Sequence, residues 1–80
     1  MPYTYILKSL KDSKYYYGST RTLENRLNDH NRGKVKSTKG RRPLVLHYSE
    51  EHDDIHEARK RENYLKSIDG YNWLKEKGII

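Results

Sequence analysis

The chain has no cysteine and no phenylalanine. Without cysteine there are no disulfides, no thiolate metal sites and no cysteine nucleophile. No apolar run approaches the ~20 residues that span a bilayer. The opening segment, Met1-Pro2-Tyr3-Thr4-Tyr5, lacks the charged start and apolar stretch of a secretion signal. The cytoplasm is therefore the expected compartment, and no membrane role is expected. There is also no internal repeat, linker or low-complexity segment, so residues 1–80 read as a single domain. A domain this short builds only a modest core, and any site must share residues with it.

Acidic residues are outnumbered: 17 Lys and Arg stand against 11 Asp and Glu, a formal charge of +6. That excess points to a polyanionic partner, nucleic acid ahead of membrane. From Arg32 to Arg42 there is no acid at all, and Lys34, Lys36, Lys39, Arg41 and Arg42 crowd together. Such a loop suits phosphate contacts, which give salt-dependent affinity and little base reading; a solvated basic loop is the plainer alternative. The aromatic set is eight tyrosines and one tryptophan. Each tyrosine carries a hydroxyl that a pure core residue does not need.

Tyr3 to Ser9 reads as a strand, with Tyr3, Tyr5 and Leu7 on one face and Thr4, Ile6 and Lys8 on the other. Lys11-Asp12-Ser13 is turn-like, and Lys14 to Gly18 reads as the returning strand of a hairpin. Thr22 is placed to cap a helix over about Leu23 to Asn31, with Gly33 just past its end. Pro43 precedes a short strand, Leu44 to Tyr48. Asp54 and Glu57 form an aspartate version of the capping box for a helix from Ile55 to about Ser67. Asp69-Gly70 is expected to break it before a last helix, Tyr71 to Lys77, ending at Gly78. The order β-β-α-β-α-α describes a small α+β domain with an antiparallel sheet flanked by helices.

Polar residues interrupt the apolar stripes of these helices. Leu23, Arg26, Leu27 and His30 have core-facing spacing, and so do Ile55, Ala58, Glu62 and Leu65. A charge on an inward face loses solvation and needs a partner. Two readings remain open. Arg26 and Glu62 are a buried ion pair and His30 a satisfied core histidine, or all three line a concave site. In the second case a glutamate can hold a hard divalent cation, an arginine can stabilise a charged transition state, and a tyrosine or histidine can move protons. His47, His52 and His56 lack metal-helix spacing and make a poor zinc set.

Tyr3-Thr4-Tyr5-Ile6-Leu7, followed after a turn by Tyr15-Tyr16-Tyr17-Gly18-Ser19-Thr20, resembles the two-strand signature of the GIY-YIG nucleases. Leu23 to His30 resembles that family's first-helix motif, and Glu57-Ala58-Arg59-Lys60-Arg61-Glu62 its metal-binding helix. The resemblance covers nearly the whole chain and is closest to short stand-alone bacterial members. Two places depart from the pattern. The first half-motif reads Thr4-Tyr5-Ile6, and the second, Tyr16-Tyr17-Gly18, has tyrosine in the middle.

The resemblance implies a three-stranded antiparallel sheet flanked by helices, and a metal-dependent endonuclease acting on DNA. Tyr5 is then the base that activates water, Tyr16 its neighbour, Arg26 the residue neutralising the attacked phosphate, and His30 an aid to proton transfer or phosphate binding. Glu62 is the ligand of one Mg²⁺ or Mn²⁺. Nearby cationic charge, Arg26 included, is expected to lower the tyrosine pKa from its ordinary ~10. Asn72 is a weak candidate for the asparagine some members use. The implied setting is DNA repair or recombination, with low sequence specificity, selectivity for DNA structure, or a targeting protein partner. A non-catalytic nucleic-acid binder on the same fold is the alternative.

Overall fold

In the computed structural model, which describes residues 1–80, the elements follow the expected order. They are β1 (Tyr3–Ser9), β2 (Tyr15–Thr20), α1 (Leu23–Asn31), β3 (Leu44–Glu51), α2 (Ile55–Lys66) and α3 (Ile68–Glu76). A short 3-10 turn, Lys39–Arg41, interrupts the loop before β3. The sheet is antiparallel with order β2-β1-β3, so β1 is central and both its faces are covered.

Strand alternation divides the core in two. Tyr5 and Leu7 point toward α1 and join Leu44, with Tyr16, Leu23 and Leu27 packed around them. Ile6 points the other way and joins Leu65 of α2 and Leu74 of α3, under Tyr15, Tyr17, Tyr48, Trp73, Ile79 and Ile80. One sheet thus has a helix on one face and two on the other, which is how a central strand buries side chains of both parities. The helical stripes face inward as their spacing requires. His30 is the buried residue of α1; Ile55, Ala58 and Leu65 are those of α2.

Three boundaries differ from the sequence reading. β2 starts one residue later and runs on to Thr20, because Ser19 and Thr20 pair with Thr4 and Tyr3. β3 runs to Glu51 instead of Tyr48, because Glu50 and Glu51 pair with the same two residues from the other side. The last helix begins at Ile68, and Gly70 lies inside it. The break between α2 and α3 is made by Ser67, extended at ψ 169, whose hydroxyl accepts a hydrogen bond from Gly70 N. Gly70 is there for lack of space: a Cβ would overlap the Tyr64 carbonyl oxygen and Leu65 Cα, both backbone. Asp54 caps α2 as expected, accepting from Glu57 N at 2.9 Å, whereas Thr22 occupies the cap position of α1 without a side-chain cap bond.

One polar network ties α2 to the sheet. Arg61 donates to Glu50 of β3 from Nε at 2.8 Å and from Nη2 at 3.1 Å. Its guanidinium also lies 4.5 Å from the Trp73 ring centroid and 5.0 Å from that of Tyr64, a cation–π arrangement. Glu50 accepts from the Tyr48 hydroxyl too, and burial together with this carboxylate pushes the Tyr48 pKa up to about 12. The network sets α2 against the sheet, and with it the residue next along the helix, Glu62.

Candidate active site

Tyr5 lies in the middle of the central strand and is 1% exposed. Its register partner is Gly18, and a Cβ at Gly18 would run into the Tyr5 hydroxyl and ring. The glycine of the second half-motif is therefore the floor on which the phenol lies.

The hydroxyl meets His30 Nε2 at 3.1 Å, and His30 Nδ1 meets Thr38 Oγ1 at 2.7 Å. Direction follows from proton counting. Thr38 Oγ1 donates its one proton to the Val35 carbonyl at 3.4 Å, so it accepts from His30 Nδ1–H. His30 Nε2 is then the bare nitrogen and accepts from Tyr5 O–H. Burial, and next the charge of Arg26, hold the His30 pKa down at about 4, with Asp29 opposing weakly. The imidazole is neutral at physiological pH, as this tautomer requires.

Arg26 is half-buried on the same face, beside the Tyr5 hydroxyl, which raises the guanidinium pKa further. Tyr16 completes the group, its ring centroid 4.9 Å from that of His30 at 63°. On the tyrosine pKa the expectation is corrected. Arg26 does pull it down, but burial is the larger effect and Tyr5 ends above its ordinary value. The resting phenol is protonated and acts as a donor.

Glu62 approaches from the other side of the sheet. Ser19 Oγ of edge strand β2 donates to its Oε1 at 2.7 Å, and Lys66 Nζ, one helical turn on, donates to Oε2 at 2.7 Å. Its side chain is 19% exposed, and its charge is felt at the Tyr5 hydroxyl. The two halves of the site thus meet around β2, where Gly18 serves one face and Ser19 the other. The Arg26–Glu62 ion pair considered from the helical spacing does not form; Glu62 pairs with Lys66 instead. The carboxylate suits a hard cation that keeps most of its shell as water or substrate oxygens. No group of three or more His, Asp or Glu residues offers an all-protein cage.

A family model described as the GIY-YIG catalytic domain matches residues 1–72. The chain belongs to the GIY-YIG family. The match includes the hairpin, the Tyr5–His30–Arg26 cluster and Glu62, and it makes this a nuclease-type fold. Among curated relatives, a UPF0213 protein of Clostridium perfringens is 45% identical over 69 residues, 85% of this chain and 73% of its own. A UPF0213 protein of Staphylococcus haemolyticus is 43% identical over 74 residues, 91% of this chain and 89% of its own. One from Halobacterium salinarum is 35% identical over 69 residues, 85% of this chain and 88% of its own. No solved structure matches.

Within this GIY-YIG domain the basic loop is not uniform. Lys34, Lys36, Lys39 and Arg42 are exposed. Arg41 is turned inward: its Nε lies 3.4 Å from Asp12 Oδ2 and its Nη2 donates to the Tyr15 carbonyl at 3.4 Å. Asn72 is exposed on α3. The histidines outside the site are scattered. His47 meets the Ile79 carbonyl, His52 meets Thr4 Oγ1, and His56 is exposed. Sequence reasoning missed Thr38, Ser19 and Lys66. Only Lys66 had a signal, its i,i+4 spacing from Glu62.

Proposed function

We propose that this domain is a divalent-metal-dependent endonuclease that hydrolyses phosphodiester bonds in DNA. The observation that carries the reading is the hydrogen-bond chain from Tyr5 through His30 to Thr38, with Arg26 beside its reactive end. A structural tyrosine needs one partner; this one has a neutral base on its proton and a cation on its oxygen.

Arg26 binds a non-bridging oxygen of the attacked phosphate and offsets the charge that grows there. A water lies against the Tyr5 oxygen. As it attacks phosphorus and the P–O bond to the leaving oxygen breaks, its proton passes to Tyr5 and the Tyr5 proton passes to His30 Nε2, so no free phenolate is needed. Thr38 holds the ring by Nδ1 throughout. Phosphate bound at Arg26 offsets the charge that depresses His30 and makes the imidazole a better acceptor at the moment it is used. Tyr16 borders the same space. Glu62 would hold one Mg²⁺ or Mn²⁺, with Ser19 fixing the carboxylate; the cation would supply Lewis-acid stabilisation of the leaving oxygen. Lys34, Lys36, Lys39 and Arg42 contact the DNA backbone, which implies low sequence specificity. The biological setting best matched to such an enzyme is repair or recombination in the cytoplasm, with targeting by DNA structure or by a protein partner.

A second reading is favoured by Lys66, which already neutralises Glu62: a non-catalytic DNA-binding module. One assay separates the two. Labelled single-stranded, duplex and branched DNA are incubated with the protein in Mg²⁺, Mn²⁺ or EDTA, beside Glu62→Gln. Cleavage that needs metal and is lost in a folded Glu62→Gln supports the enzyme. Binding without cleavage of any substrate supports the module.

A further inference from the structure

An open cleft of about 570 Å³ lies where the turn after β1, the end of α1 and the 3-10 turn meet. Its lining is Lys11, Asn31, Lys39, Gly40, Arg42 and Pro43. Three of these six carry full positive charge, and none is acidic. The cleft shares no lining residue with the Tyr5, Arg26, His30 and Thr38 group.

The lining is held in place. Lys11 Nζ donates to the Gly40 carbonyl at 3.1 Å, joining the hairpin turn to the basic loop. Arg42 Nε donates to the Lys39 carbonyl at 2.8 Å. Its guanidinium lies against Gly33, where a Cβ would stand 2.8 Å from Nη1. The Asn31 carboxamide is oriented by Leu44, accepting from its N at 2.8 Å and donating to its carbonyl at 2.9 Å. One Asn31 N–H remains beyond that pair, as do the terminal guanidinium nitrogens of Arg42. Asp12 of the same turn lies 3.4 Å from Arg41 Nε, which partly offsets the one negative charge beside the cleft.

From this arrangement we infer that the cleft is a second phosphate-binding subsite that grips the nucleic-acid backbone with residues other than those of the Tyr5–His30 group. The inference deepens the nuclease reading and rests on it. The donors are cationic or amide N–H groups, the set that recognises phosphate oxygens. No aromatic side chain lines it to stack a base. The volume exceeds a single phosphate, so a run of phosphodiester fits. Lys11, from a turn outside the basic loop, is the residue this assigns anew.

The test is direct binding of labelled duplex DNA in EDTA across a salt series, which needs no catalysis. The variants are Lys11→Ala, Arg42→Ala and Gly40→Glu. Nothing lies within 4 Å of a Cβ at Gly40, so a glutamate there adds a negative charge to the lining without a steric clash. Each alanine variant is expected to reduce the slope of log K against log salt by about one. Gly40→Glu is expected to weaken binding by about tenfold. Unchanged affinity and slope in all three variants, with the wild type binding, overturns the subsite. Inorganic phosphate is titrated in parallel by amide NMR. Tight phosphate binding with DNA affinity indifferent to the variants would assign the cleft to a free anion and also overturn it. Failure of the nuclease reading shows separately, as absent cleavage by a wild type whose binding still responds to these variants.

Discussion

Replacing His30 with glutamine should change how stability responds to acid, and the size can be worked from the site. The buried imidazole titrates at about 4 in the folded chain against 6.5 when unperturbed. The unfolded state therefore binds the proton more readily between those values, and stability rises with pH across that window. His30's contribution is intact above the unfolded value and is lost as pH falls toward the folded one. Linkage puts the loss at about 2 kcal/mol between pH 7 and 5, and about 3 kcal/mol by pH 4. A domain of this size has about 4–12 kcal/mol in total, so the effect is large. Asp12, Glu50 and Asp54 are held below their ordinary carboxylate values and add their own acid sensitivity, but at lower pH. The difference between wild type and variant from pH 7 to 5 cancels what the groups common to both proteins contribute. Urea unfolding followed by Trp73 fluorescence at both pH values, on wild type and His30→Gln, reads the difference. The stability gap between the two proteins should shift by about 2 kcal/mol against the wild type at the lower pH. A gap that stays constant would refute a buried neutral His30, and with it the proposed proton path from Tyr5.

Two further substitutions probe the supports of the site. Thr38→Val removes the acceptor for His30 Nδ1 and strands a buried N–H, at a cost of about 1–3 kcal/mol; Thr38→Ser keeps the hydroxyl and should lose much less in the same urea titration. Gly70→Ala forces a Cβ into the Tyr64 backbone and should cost about 3 kcal/mol, read as a lowered melting temperature; an unshifted melting curve would mean that α3 does not pack as closely on the end of α2 as described.

Local pattern was enough for much of the fold. Alternation in Tyr3 to Ser9, the helical stripes of α1 and α2, and the Asp54 cap are properties of neighbouring residues, and they appear where spacing puts them. The roles of Tyr5, Arg26, His30 and Glu62 were approached through motif resemblance, which needs only identity and order. Boundaries that depend on pairing were not legible. Ser19, Thr20, Glu50 and Glu51 are strand residues because Tyr3 and Thr4 lie between them, and no local propensity reveals that. Gly70 looked like a helix breaker, since a glycine's role depends on what lies where its side chain would be.

The sequence by itself determined the class of element at most positions, the positive charge and the identity of the residues on which the proposed phosphodiester chemistry rests. Tertiary structure decided what each of them faces. It set Glu62 against Ser19 and Lys66 instead of Arg26, turned Arg41 inward to Asp12, and gave His30 its partners on both nitrogens. It also decided the sign of the Tyr5 shift, because burial and the nearby guanidinium oppose each other and their balance depends on three-dimensional surroundings that residue spacing does not encode.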